Sequence, residues 1–166
     1  MISIARFRVE RNGNLLVVRG LELLPCPVCE GELFCRGTCR RKTRSAYGET
    51  TLYQLRVLQC RHCGKTHREL PEPIVPHKRY DAEAIIQIRE RPEEVICEPN
   101  VRTRIMAWLA WFVEYANHIQ QSQSLILSAP LPKHSGEITV AVLSRLVRIV
   151  ANSQNWLHNR SVWTVA

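Results

Sequence analysis

Four of the chain's seven cysteines fall in two pairs of one form, Cys26-Pro-Val-Cys29 and Cys60-Arg-His-Cys63, with 30 residues between the pairs. Sulfur at that spacing is metal chemistry. Two intervening residues let one tight turn aim both thiolates at a single ion, and a second pair carried on a neighbouring hairpin closes a tetrahedron. The set suits one Zn2+. Four thiolates leave it no open position for a water, so the site reads as structural and the chain as a non-enzyme with no catalytic residue. Gly64, directly after the second pair, supplies the positive φ that such a turn needs. A redox dithiol would account for one pair alone, and two pairs favour the metal. Cys35 and Cys39 have three residues between them and face no second pair, so they read as surplus thiols. His62 and His67 read as polar surface groups beside an ion that is already satisfied.

Charge is the second chemical signal. The formal net charge is +8, and it is unevenly spread: residues 1–80 hold 15 Lys/Arg against 7 Glu, whereas residues 81–166 hold 8 of each sign. The excess lies in the half that bears the cysteine pairs, which points to a polyanionic partner, and to DNA first. Its densest part is Arg36, Arg40, Arg41, Lys42 and Arg44, five cations within nine residues with no acid among them. That is the composition of a phosphate clamp, with a solvated surface as the plain alternative. The first twenty residues alternate apolar groups with arginines and lack the continuous apolar stretch of a signal peptide. No apolar run approaches the roughly 20 residues of a membrane span. The expectation is a cytoplasmic protein with no membrane partner, whose cysteines serve a metal rather than disulfides.

These groups need elements to carry them. Residues 2–9 alternate in the strand period, Asn12-Gly13 supplies a hairpin turn, and Leu15–Val18 reads as the return strand. Glu32–Arg36 reads as a strand leaving the metal, the basic run as a hairpin tip around Gly37 and Gly48, and Thr50–Gln59 as the strand that returns into Cys60. Residues 66–80 contain three prolines, so 71–80 reads as an extended strap. Asp81 caps a helix with Ala82, Ile85, Ile86 and Ile88 on one side, ending at Arg91-Pro92. After a short turn, Pro99-Asn100 opens a longer helix with an apolar stripe of Val101, Ile105, Trp108, Leu109, Phe112, Val113 and Ala116. Arg102 and Thr103 fall off that stripe near the helix start, and with Arg104 they are the candidate base contacts. Helix, short turn and longer helix form the outline of a helix-turn-helix, whose last helix offers its N-terminal residues to the major groove. Residues 121–136 read as a loop, Ser135 as the cap of a final helix from Glu137 to about Asn152, and residues 155–163 as an amphipathic, aromatic tail. The expected fold is α+β: a β-hairpin and four-cysteine zinc ribbon over 1–70, the strap over 71–80, and a small helical, helix-turn-helix-like domain over 81–166.

Taken together, CPVC, CRHCGKTHRELPEPIVPHKRY and PNVRTRIMAWLAWF resemble a bacterial family of unknown function that combines a zinc ribbon with a helix-turn-helix and is associated with insertion-element transposases. The likeness runs from about Leu24 to Trp163 and is most specific at Glu69-Leu70-Pro71, Val75-Pro76 and Lys78-Arg79-Tyr80. The resemblance implies DNA binding and a place beside a mobile element, as an accessory or regulator of transposition whose protein partner is a separate transposase or another copy of itself. Transposases of the common type hold their metal ions with three carboxylates, usually two of them aspartates. This chain has one aspartate, Asp81, which leaves at most a catalytically dead remnant of such an enzyme. A protein–protein adaptor, docking through the ribbon and the aromatic tail, is the alternative function.

Overall fold

The computed structural model describes residues 1–127 and 136–156. Its order of elements is β1 (Ile2–Ile4), β2 (Phe7–Asn12), β3 (Leu15–Gly20), β4 (Leu33–Arg44), β5 (Thr50–Cys60), β6 (Thr66–Pro71), α1 (Ala82–Glu90), a 3-10 turn (Pro92–Glu94), α2 (Pro99–Leu127) and α3 (Val140–Asn152). The expected α+β class is what the chain adopts: a curled sheet that carries the four cysteines, then three helices. Strand β5 organises the sheet. Antiparallel β4 runs along its whole length, β3 pairs in parallel with residues 52–54, and β6 pairs antiparallel with residues 57–59. β2 closes one end against β3, and β1 lies parallel to β6 at the other.

The hairpin expected around Gly13 is present, and Gly13 has the positive φ (58°) that its turn requires. The single strand expected over 2–9 is not. The backbone N–H groups of Ala5 and Arg6 both donate to the Glu22 carboxylate, and this bend sends Ile2–Ile4 to pair with Glu69–Pro71 instead. Ile2 and Ile4 are buried there with Leu55, Leu70 and Ile74. The basic run is not a hairpin tip either. β4 continues through it to Arg44, with a bulge between Cys35 and Gly37, and the tip is Ser45–Glu49. Among the described residues, β4 along Thr38–Arg44 has no strand partner on its second edge save a bridge from Arg44 to Tyr80. Long cations are what an exposed edge tolerates, because they discourage further strand pairing.

Residues 71–80, expected as an extended strap, form a buried seam. Pro71 ends the β6 ladder, where it has no N–H to give. Ile74 then packs in the apolar cluster of the sheet, and Val75 and Tyr80 pack in that of the helices. Asp81 caps α1 as expected, its carboxylate accepting from the Ala84 N–H at 2.8 Å. The link from α1 to α2, Arg91–Glu98, is longer than the three or four residues that join the helices of a standard helix-turn-helix. α2 runs on to Leu127, into the region expected as a loop. Nothing between Gln121 and Leu127 breaks a helix, since the first proline there is Pro130. α3 starts later than expected, at Val140, capped by the Thr139 hydroxyl. Ser135, the expected cap, lies outside the described residues.

The helices and the sheet are stitched together. The Asn152 side chain receives the Ser3 N–H at 2.7 Å and donates to the Ser3 carbonyl at 3.0 Å. The Ser144 hydroxyl donates to the Glu72 carbonyl at 3.3 Å. Trp156, at the start of the aromatic tail, packs on Phe112 with ring centroids 5.3 Å apart, and the rest of the tail lies outside the described residues. No helix among the described residues is long and apolar enough to cross a membrane.

Candidate metal centre and basic cleft

Each cysteine pair sits in a tight turn, and the two turns close in the same way. The residue after the second cysteine returns its N–H to the carbonyl of the first: Glu30 to Cys26 at 2.8 Å and Gly64 to Cys60 at 3.1 Å. That closure needs a left-handed residue, and φ is 60° at Glu30 and 71° at Gly64. Gly64 adopts it freely, whereas Glu30 does so at a cost of roughly 1 kcal/mol. Backbone N–H groups also surround the sulfurs, with His62 and Cys63 approaching Cys60 Sγ at 3.3 and 3.5 Å. These donors, Cys63 first and His62 after it, draw the Cys60 thiol down to about 6, whereas at Cys29 a Gly31 backbone hydrogen bond is outweighed by burial and the neighbouring sulfurs, which push that thiol up to about 12. A lowered pKa favours the thiolate, the form that binds metal. The second turn is fastened to the strand after the first by the Arg61 N–H on the Glu32 carbonyl at 3.0 Å. The Arg61 guanidinium adds a cation–π contact 4.9 Å from the Phe34 ring centroid.

The result brings together the four cysteines that the sequence singles out. Cys26 and Cys63 have their sulfurs 3.7 Å apart, Cys29 and Cys60 theirs 3.5 Å apart, and all four lie within 4.8 Å of one another. A tetrahedral ion with metal–sulfur bonds of about 2.3 Å spaces its ligands about 3.8 Å apart. The cluster therefore fits one metal ion. Cys35 is exposed on β4 with its thiol directed to the Gly37 carbonyl, and neither it nor Cys39 joins the cluster.

Two neighbours of the cluster escape a reading of the sequence. His67, expected at the surface, is only 5% exposed, and its Nε2 lies 3.4 Å from Cys26 Sγ. β6 pairs His67 with Leu58 on β5, which turns the imidazole inward. Burial lowers its pKa from the ordinary histidine value, so a neutral ring can donate its Nε2–H to a Cys26 thiolate. His62 is exposed, as expected. Gly31 is the other neighbour. A Cβ there would stand 2.8 Å from the His62 Cβ and 3.0 Å from Cys60 Sγ, so any side chain would wedge the two turns apart.

The candidate DNA contacts divide. Arg36, Arg40 and Lys42 are exposed on β4. Arg41 is half-buried and donates to the Lys78 carbonyl at 2.6 Å, and Arg44 donates its Nε–H to the Gly48 carbonyl at 3.3 Å. On α2, Thr103 is exposed but returns its hydroxyl to the Pro99 carbonyl. Arg102 is half-buried, with an enclosed Nε that has no hydrogen-bond partner among the described residues. Arg104 is exposed and lines a cleft of about 260 Å3 together with Arg44, Lys78, Arg79 and Glu98. The structure thus gathers Arg44 and Arg104 and leaves Arg102 and Arg36 outside that group.

Residues 26–107 match a family described as a domain of unknown function, DUF6431. No curated protein and no solved structure matches the chain. The DUF6431 span opens on the first cysteine and ends inside α2, so it takes in the whole cluster, the residues that line the cleft, and His67. Its description says nothing of transposition. Within the DUF6431 span, Lys78 and Arg79 are the cations that the charge pattern missed. They are isolated from the dense run in sequence, and the bridge between Arg44 and Tyr80, with the Arg41 hydrogen bond to the Lys78 carbonyl, brings them to it. Glu69 was legible only as part of a motif. It is 2% exposed and forms a two-pronged ion pair with Arg56, at 2.7 and 2.6 Å, while also accepting the Gly20 N–H at 3.2 Å. A Cβ at Gly20 would collide with that carboxylate.

Proposed function

We propose that the protein is a DNA-binding module whose fold is locked by one structural zinc ion held by Cys26, Cys29, Cys60 and Cys63. Four thiolates suit zinc, complete its coordination and leave no position for a reacting water, which supports a non-catalytic role. The observation that carries the DNA reading is the exposed basic edge of β4. Arg36, Arg40 and Lys42 project from a strand whose foot, Leu33, pairs with the ligand Cys60, so the metal fixes the strand that presents the charge. Contacts of that kind go to phosphates and bind DNA with little regard to sequence. Arg102, Thr103 and Arg104 at the start of α2 would supply whatever base preference exists. An accessory or regulatory role beside a transposase is what the motif resemblance adds, with a cytoplasmic location.

The test is a DNA-binding isotherm on a duplex of mixed sequence, with zinc bound and with zinc removed by chelator, across a range of salt. Salt-dependent binding that disappears with the metal supports the reading, and salt-independent or absent binding refutes it. One observation favours the adaptor instead. Leu23 is fully exposed and Leu21 about half exposed, beside a groove walled by Glu22, Glu30 and Glu32. Such a surface suits a basic, apolar peptide better than DNA.

A further inference from the structure

The cleft between the end of β4 and the first turns of α2 concentrates positive charge. Arg44, Lys78, Arg79 and Arg104 line it with a single acid, Glu98. Lys78 is tethered at its backbone and packed at its tip. Its carbonyl is held by Arg41, the adjacent Arg79 carbonyl receives the Arg44 N–H at 2.8 Å, and its ammonium lies 4.1 Å from the centroid of the Trp108 ring. Burial, and then the like charge of Arg104, bring its pKa down to about 8. Like charges held side by side disfavour the folded state, and an anion between them would reverse that sign. The volume, about 260 Å3, admits a phosphate group with part of its hydration.

A polyanion fits better than a free phosphate. Arg40, Lys42 and Arg44 recur at alternate positions after the β4 bulge and so share one face of the strand, at steps of about 6.8 Å. Arg44 belongs both to that row and to the cleft. We propose that the cleft seats one phosphate of a DNA backbone between Lys78 and Arg104, with Arg40 and Lys42 following the strand outward. This inference rests on the DNA-binding reading above and adds to it the place where the backbone is gripped.

The test uses the full, zinc-loaded chain, a fluorescently labelled duplex of mixed sequence, and inorganic pyrophosphate as a separate probe. The variant is Lys78→Met with Arg104→Gln. Methionine keeps an unbranched side chain over Trp108, and urea unfolding checks that the variant folds. One phosphate contact contributes a slope of about −0.9 in log K against log salt. Between 50 and 200 mM salt the wild type should therefore lose about 3.5-fold more affinity than the variant. Arg104→Gln alone should weaken binding in the same direction. If the wild type binds DNA and the double variant shows the same affinity and slope, the seat is overturned while the DNA reading stands. If the wild type does not bind DNA, the DNA reading and the DNA seat both fall. In that case a pyrophosphate-induced change in tryptophan emission, absent from Lys78→Met, would show a site for free phosphates, and no response would remove that too.

Discussion

Arg56→Met asks how much of the sheet depends on one charge. In the wild type the Glu69 carboxylate is 2% exposed and receives two hydrogen bonds from Arg56. Arg56 also donates to the Gly20 carbonyl at 3.1 Å. The pair thereby fastens the end of β3 to β5 and β6. Methionine fills much of the same volume but leaves the carboxylate with only the Gly20 N–H. Removing one partner of a buried pair costs about 3–5 kcal/mol. The variant should thus be about 3–5 kcal/mol less stable than wild type at pH 7. Urea unfolding followed by tryptophan fluorescence, with metal in excess and wild type as the reference, measures the deficit. Adding Glu69→Gln, which keeps an acceptor for Gly20 without the charge, should recover most of the loss. A deficit below about 1 kcal/mol at pH 7, or a double variant no better than the single, would refute the reasoning.

Cys60→Ser should abolish binding of one metal ion per chain and unfold the base of the β4–β5 hairpin, because ligation of this kind contributes on the order of 10 kcal/mol. Cys35→Ser and Cys39→Ser should keep the metal, and elemental analysis of the three purified proteins decides. Gly31→Ala should weaken metal binding by roughly 10- to 100-fold, the range for disturbing an outer shell, as measured by competition with a chelator. Lys78 has its folded pKa lowered to about 8, so between about pH 8 and 10.4 the unfolded chain binds a proton that the folded chain has lost. The wild type should gain stability over that window relative to Lys78→Met, and parallel stability curves would contradict it.

What could be read in the sequence was chemistry confined to short stretches. The two cysteine pairs, the left-handed Gly64, the Asp81 cap and the apolar stripes of α1 and α2 each depend on residues within a turn or two of one another. What could not be read depends on partners far along the chain. Ile2–Ile4 has the alternation of a strand that continues into Phe7, and only Glu22 diverts it. Arg41 belongs to a basic run by composition, yet it is the Lys78 carbonyl that claims its guanidinium. His67 looks like a surface group until β6 lies against β5 and turns it to Cys26. The basic stretch misled for a different reason. Polar composition usually marks a loop, whereas an unpaired sheet edge accepts the same residues and keeps its strand.

The clasp between Asn152 and Ser3 has a bearing on how the chain is made. Its two ends are 149 residues apart in sequence. At about 5–20 residues per second, a ribosome needs roughly 7–30 s to travel from one to the other. Throughout that interval the Ser3 backbone lacks its Asn152 partner. β1 can pair with β6 and bury Ile2 and Ile4 once residues 66–74 have emerged, long before α3 is made. The clasp is thus a late lock on a sheet that can already have closed.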